Sequence, residues 1–163
     1  MKRLICMSMI SVFVLSAITS CGQENRPSPA ATATGKAGNT TITINYSQPS
    51  VKGRKIWGDL VPYGKVWRTG ANEATTFEVD NNVKIEGQAL PKGKYALFTI
   101  PGENEWTIIF NKTANQWGSF RYVQDDDALR VKVKPGKAPA MTEKMTIKVN
   151  NGGKVDIAWD YLV

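Results

Sequence analysis

Two absences decide more about the chemistry open to this chain than any residue it carries. It contains no histidine, and its two cysteines, Cys6 and Cys21, both fall in the first stretch of the sequence. Ser-His-Asp and Cys-His catalysis are therefore excluded from the body of the chain, as is zinc held by imidazole or thiolate. Carboxylate chemistry survives. A pair such as Asp59 and Glu73 suits acid/base hydrolysis of a glycoside if the two carboxyls stand roughly 5–10 Å apart. The run Asp125-Asp126-Asp127 offers hard oxygen ligands but lacks the spaced alternation with glycine that a calcium loop needs, so it reads as a solvated turn. Glycine-rich turns here lead into strands rather than helix N-termini and do not cradle phosphate. No metal and no cofactor is expected.

The densest grouping of aromatic, cationic and amide side chains lies between Tyr46 and Thr76, where Arg54, Trp57, Asp59, Tyr63, Lys65, Trp67, Arg68, Asn72 and Glu73 sit among glycines and prolines. In a loop, such density points to binding. Trp57 and Trp67, with Trp117, would form a flat apolar platform, while Arg54, Arg68, Asn72 and Glu73 orient a sugar or an anionic small molecule by bidentate hydrogen bonds. The competing reading makes the same segment scaffold. Trp57 and Trp67 are then core anchors, Arg68 and Glu73 an ion pair, and Asn72, Thr75 and Thr76 partners for buried irregular backbone. Ligand binding is preferred over catalysis, to which only carboxylate chemistry is left.

The elements that position these residues are strands. Apolar residues recur with period two: Ile42, Ile44 and Tyr46 alternate with polar neighbours, as do Leu129, Val131 and Val133, and Met145, Ile147 and Val149. Asp80-Asn81-Asn82 and Asn150-Asn-Gly-Gly153 each lie between two such runs and predict hairpins. Tyr95–Ile100 and Trp106–Phe110 are apolar on both faces and predict central, doubly covered strands. No stretch shows a helical stripe. Some eight to ten short strands imply an all-β fold, an antiparallel β-sandwich with one long irregular loop, with a jelly roll or a partly open barrel as its forms. The domain is expected over residues 40–163.

The first residues read as an address. Lys2 and Arg3 precede an apolar run from Leu4 to Ile18, too short to span a bilayer, and small residues follow it, in the order of a secretory signal over residues 1–20. Ile18-Thr19-Ser20-Cys21 resembles the lipobox of bacterial lipoproteins. That likeness implies cleavage before Cys21, acylation of its thiol with palmitate-type chains, and a membrane anchor durable because more than one chain is attached. Residues 22–39, rich in small and polar side chains and in proline and glycine, are expected to be a flexible tether. Gly22 is not the aspartate associated with inner-membrane retention, which favours the outer membrane of a bacterial envelope.

The formal net charge is +7, and Lys2 and Arg3 belong to the segment read as removed. The remaining cations are scattered singly, as at Arg130, Lys132 and Lys134, so they describe solvated faces and not a nucleic-acid stripe. No nucleic-acid partner is expected. Long motifs add a resemblance: Tyr46-Ser-Gln-Pro-Ser-Val-Lys-Gly-Arg54, Leu60-Val-Pro-Tyr-Gly64, Val66-Trp-Arg-Thr-Gly-Ala-Asn-Glu-Ala-Thr-Thr76, Leu90-Pro-Lys-Gly-Lys-Tyr95 and Gln116-Trp-Gly118 resemble the domain-of-unknown-function family numbered 2911. The resemblance implies an exported protein of the Bacteroidota and brings no catalytic residue with it. Two further roles are set beside ligand binding: an assembly lipoprotein that binds another envelope protein through a sheet edge, and a carboxylate-dependent hydrolase.

Overall fold

The computed structural model describes residues 26–163. Cys6, Cys21, the signal segment and the start of the tether lie outside the described residues. Ten strands follow: β1 (Ala30–Ala37), β2 (Thr40–Ser47), β3 (Thr76–Val79), β4 (Val83–Ile85), β5 (Gln88–Leu90), β6 (Gly93–Ile100), β7 (Trp106–Asn111), β8 (Asp127–Val133), β9 (Lys137–Val149) and β10 (Val155–Leu162). All pairings between these strands are antiparallel. Six form one sheet in the order β1-β2-β3-β6-β7-β8, while β9 with β10 and β4 with β5 make separate two-stranded ribbons. The fold is all-β, as the alternation predicts. Its strand order is a meander interrupted by the β4–β5 ribbon, without the Greek-key crossings of a jelly roll.

Register places Ile42, Ile44, Phe77, Val79, Tyr95, Leu97, Phe110, Leu129 and Val131 on one face of the large sheet, where they are buried. Met145 and Ile147 of β9, Trp159 of β10 and Leu90 of β5 close over them to form the main core. The opposite face carries a smaller core of Ala96, Phe98 and Ile109, with Ala74 and Val66 from the long loop and Tyr122 packed against it. This is why β6, buried from Tyr95 to Thr99, reads as apolar on both faces. A sheet strand of that composition must be covered twice.

The first departure from expectation is β1. Residues 30–37 lie in the stretch expected as tether, yet they pair with β2 over their full length, Ala30 opposite Ser47 and Ala37 opposite Thr40. The alternation is present, but its inward side chains are Ala31, Ala33, Gly35 and Ala37, too small to register as a hydrophobic stripe. Close packing dictates their size. A Cβ on Gly35 would stand 2.5 Å from Val149 Cγ1 and 2.8 Å from the Val149 carbonyl oxygen. The domain therefore begins near residue 28, not 40.

The second departure is at Asp80-Asn81-Asn82, which turns a corner and closes no hairpin. Asp80 Oδ1 accepts from the Thr41 backbone N–H at 2.9 Å, and Asn82 Oδ1 accepts from the Lys92 N–H at 2.9 Å. The chain is thereby carried out of the sheet at β3 and returned at β6. The hairpin lies one step later, between β4 and β5, where Glu86 and Gly87 both take positive φ, 47° and 78°. That is the pattern of the tight primed turn, and a glutamate in its first position disguises it. The hairpin expected at Asn150–Gly153 is present and joins β9 to β10.

The contact at Gly35 yields a test. Gly35→Ala should lower stability by about 1–3 kcal/mol, the cost of overpacking a site closed by backbone as well as side chain, read from the midpoint of urea unfolding. A segment that served only as tether would absorb the methyl without effect.

Candidate functional site

Residues 48–75 are irregular but not loose. Met145 N–H donates to the Pro49 carbonyl at 2.9 Å and Val51 N–H to that of Glu143 at 2.8 Å, stitching the start of the loop to β9. Trp67 and Thr99 exchange both backbone bonds, at 2.8 and 2.9 Å, and the Leu97 N–H donates to Thr75 at 2.7 Å. Thr69, Thr75 and Thr99 are all fully buried. Thr75 Oγ1 donates to the Thr69 carbonyl at 2.8 Å, while the Thr69 and Thr99 hydroxyls lie 3.3 Å apart. Thr69 has a φ of 55°. A β-branched residue holds such a conformation only where its surroundings over-determine it.

The six residues proposed as a ligand site are not brought together. Trp57 and Trp67 are half-buried and pack against the core beside the buried Trp106 and Trp159: Trp57 meets the other three edge-to-face, with ring centroids 4.9–5.9 Å away, and Trp67 stacks on Trp159 at 5.8 Å. They form no platform. Arg54 curls back on its own turn, its guanidinium donating to the carbonyls of Ser50 and Val51. Asn72, with a φ of 57°, donates from Nδ2 to the Ser28 carbonyl at 3.1 Å and to Ser47 Oγ at 3.3 Å. Glu73 pairs with Arg26 at 3.0 Å and not with Arg68. Hydrogen bonds from its own backbone and from Arg26 hold its carboxyl below the usual range. It is thus an anion at neutral pH, unsuited to act as a general acid. Arg68 is half-buried, its Nε without an acceptor, and burial lowers its pKa. Of the tryptophans, Trp117 alone is largely exposed, at 58%.

The acidic run is structural. Asp125 and Asp126 belong to a 3-10 turn that leads into β8. Asp127 accepts from Tyr122 Oη at 2.6 Å and from Asn111 Nδ2 at 2.9 Å, with Arg130 Nε 3.3 Å away but poorly aligned for a hydrogen bond. Among the described residues no group of three or more acidic, histidine or cysteine side chains is placed to hold a metal.

Two concave regions lie elsewhere on the surface. An open, polar depression of about 660 Å³ runs over Glu86, Gln88, Ile100, Thr107, Arg130 and Lys132. A more enclosed cleft of about 520 Å³ enters the sandwich between the large sheet and β10, with Ile108, Val133, Val155, Ile157 and Leu162 among its walls and Ile85 at its lip. These six side chains are all only half-buried. Trp106 also lines the cleft, and its Nε1 is buried without an acceptor. Around the rim stand Lys84, Lys134 and Glu86, with Lys154 and Asp156 paired to each other at 2.9 Å. Sequence reasoning missed this cleft because its residues come from six strands and the turns beside them, and most are ordinary strand residues singly.

A family model described as protein of unknown function, DUF2911, matches residues 28–163. The chain belongs to this family. The match begins two residues before β1 and takes in all ten strands, so the family unit and the folded unit coincide. No curated protein and no solved structure matches the chain.

The Tyr122–Asp127 contact sets an alkaline limit on the loop that covers β6 and β7. Burial, then Asp127, pushes the Tyr122 pKa up to about 12. Its unfolded value is ~10, so the neutral phenol stabilises the fold fully below pH ~10, and that contribution is lost as pH rises towards 12. Urea midpoints should fall across this window in the native chain, and less steeply in Tyr122→Phe. Parallel slopes would show that Tyr122 does not govern the limb.

Proposed function

We propose that this chain is an exported lipoprotein of the bacterial envelope, anchored through an acylated Cys21 in the outer membrane, whose domain binds a small molecule with an apolar body and an anionic head. The cleft beneath β10 carries the binding part of this reading. Its volume is within the ~300–1,000 Å³ usual for small-molecule sites, and its half-buried aliphatic walls stay partly in water until something covers them. With Lys154 and Asp156 paired, Lys84 and Lys134 stand against the single Glu86, so the rim is positive.

These features favour a carboxylate on an aliphatic body over a sugar, which needs flat aromatic faces and many convergent polar groups. The sequence pattern at Cys21 supports the anchor. A hydrolase is disfavoured because Glu73 is engaged by Arg26 and held as an anion.

A thermal-shift series with medium-chain fatty acids, the matching alcohols and a sugar panel tests the reading. At about a hundredfold excess over Kd a fatty acid should raise the midpoint by about 8 °C. Lys84→Ala with Lys134→Ala should weaken fatty acids about fivefold and leave the alcohols unchanged. Shifts with sugars and none with acyl carboxylates would sink the proposal.

A further inference from the structure

Eight large apolar side chains are conspicuously exposed among the described residues, and three of them, Trp117, Phe120 and Val123, fall within one short loop between β7 and β8 at 58, 86 and 51%. Scattered exposed apolar residues need no explanation, but adjacent ones do. This loop lies where the chain enters the domain. Trp117 and Glu73 form a direct antiparallel bridge, so their side chains leave the same face. The Gly118 N–H donates to the Asn72 carbonyl at 3.2 Å, and the Ala74 N–H to that of Gln116 at 3.0 Å. Glu73 in turn holds Arg26, and Asn72 holds the backbone of Ser28. The entry point is therefore fastened beside the exposed aromatics.

Only Gly22, Gln23, Glu24 and Asn25 separate Cys21 from Arg26. Whatever their conformation, they span at most about 18 Å between the two Cα atoms. We infer that the Trp117–Phe120–Val123 loop rests on the lipid surface into which Cys21 is anchored, fixing the orientation of the domain; the inference depends on the anchor proposed above. A lipid surface is favoured over a protein partner because the anchor brings the bilayer within one short strand's length of this loop. Tryptophan is at home at the boundary between headgroups and acyl chains. Arg68, Arg121 and Lys112 on this side are nearly balanced by Asp125 and Asp126. Contact is thus apolar in origin, and added salt should leave it in place.

The test uses the full acylated chain in phosphatidylcholine vesicles containing lipid brominated near the interface. Trp117 is one of five tryptophans and the other four are buried or half-buried in contact with one another, so brominated lipid should quench about a fifth of the emission, at low and high salt alike. Trp117→Phe should abolish that component, and Phe120→Ser should reduce it about twofold while the circular dichroism remains native. An acylated chain whose Trp117 stays open to aqueous acrylamide and untouched by brominated lipid overturns the inference and leaves the anchor standing. A mature chain whose mass lacks the acyl increment overturns both. Shielding that appears only when a second envelope protein is added overturns the lipid assignment.

Discussion

Four indoles supplied by three parts of the chain hold the molecule's layers in register. Trp106 comes from the large sheet, Trp159 from β10, and Trp57 and Trp67 from the irregular loop. A buried indole such as Trp106 or Trp159 removes ~150–250 Å² from water, and each close pair adds about 0.5–1.5 kcal/mol beyond its area. At ~25 cal/mol per Å², burial of one such ring contributes about 4–6 kcal/mol. Nε1 of Trp57, Trp106 and Trp159 is nevertheless buried without an acceptor, and each costs about 1–3 kcal/mol. Burial wins at Trp106 and Trp159, which are 7% and 1% exposed. The loop between β2 and β3 is consequently a third layer of the core and not an appendage to it.

Several local features follow from that constraint. Once the loop is pinned to β6 through Trp67 and Thr99, its backbone must turn sharply, and Thr69 and Asn72 accept positive φ to do so. The polar groups this exposes are satisfied internally, Thr75 serving Thr69 and Asn72 serving Ser28. The hairpin β9–β10, drawn down by Trp159, comes so close to β1 that only alanine and glycine fit beneath it. A change at one indole would therefore be felt in an edge strand that makes no contact with it through hydrogen bonds.

Legibility in the sequence tracked side-chain size. β2, β8 and β9 announce themselves because large aliphatic residues alternate with polar ones, and β6 and β7 because both their faces are apolar. β1 is silent because its inward side chains are a methyl or less. Glu86-Gly87 hides a primed turn, since glutamate at positive φ is imposed by the ribbon and not by its own preference. In the candidate site, aromatic and cationic density marked Trp57, Trp67 and Arg68 correctly as special, but composition cannot separate a ligand platform from a core anchor. That distinction depends on which neighbour arrives from far along the chain: Trp159, distant in sequence, stacks on Trp67 and covers one side of its ring.

Rigid support explains why the cleft and the exposed loop can act independently. The cleft is walled by β7, β8 and β10, whose backbones are paired, and Trp106 sits at the junction of the cleft and the tryptophan cluster. Its Nε1 is closed off from solvent, so the indole meets the cleft through its carbon atoms. The Trp117 loop, by contrast, is attached to the rest through Asn72, Glu73, Asn111 and Tyr122, and leaves Trp117, Phe120 and Val123 uncovered. Nothing in the core depends on Phe120 being covered. Three neighbouring apolar side chains that the fold neither uses nor hides are free to meet a surface outside the chain, which is what the proposed anchor at Cys21 would bring to them.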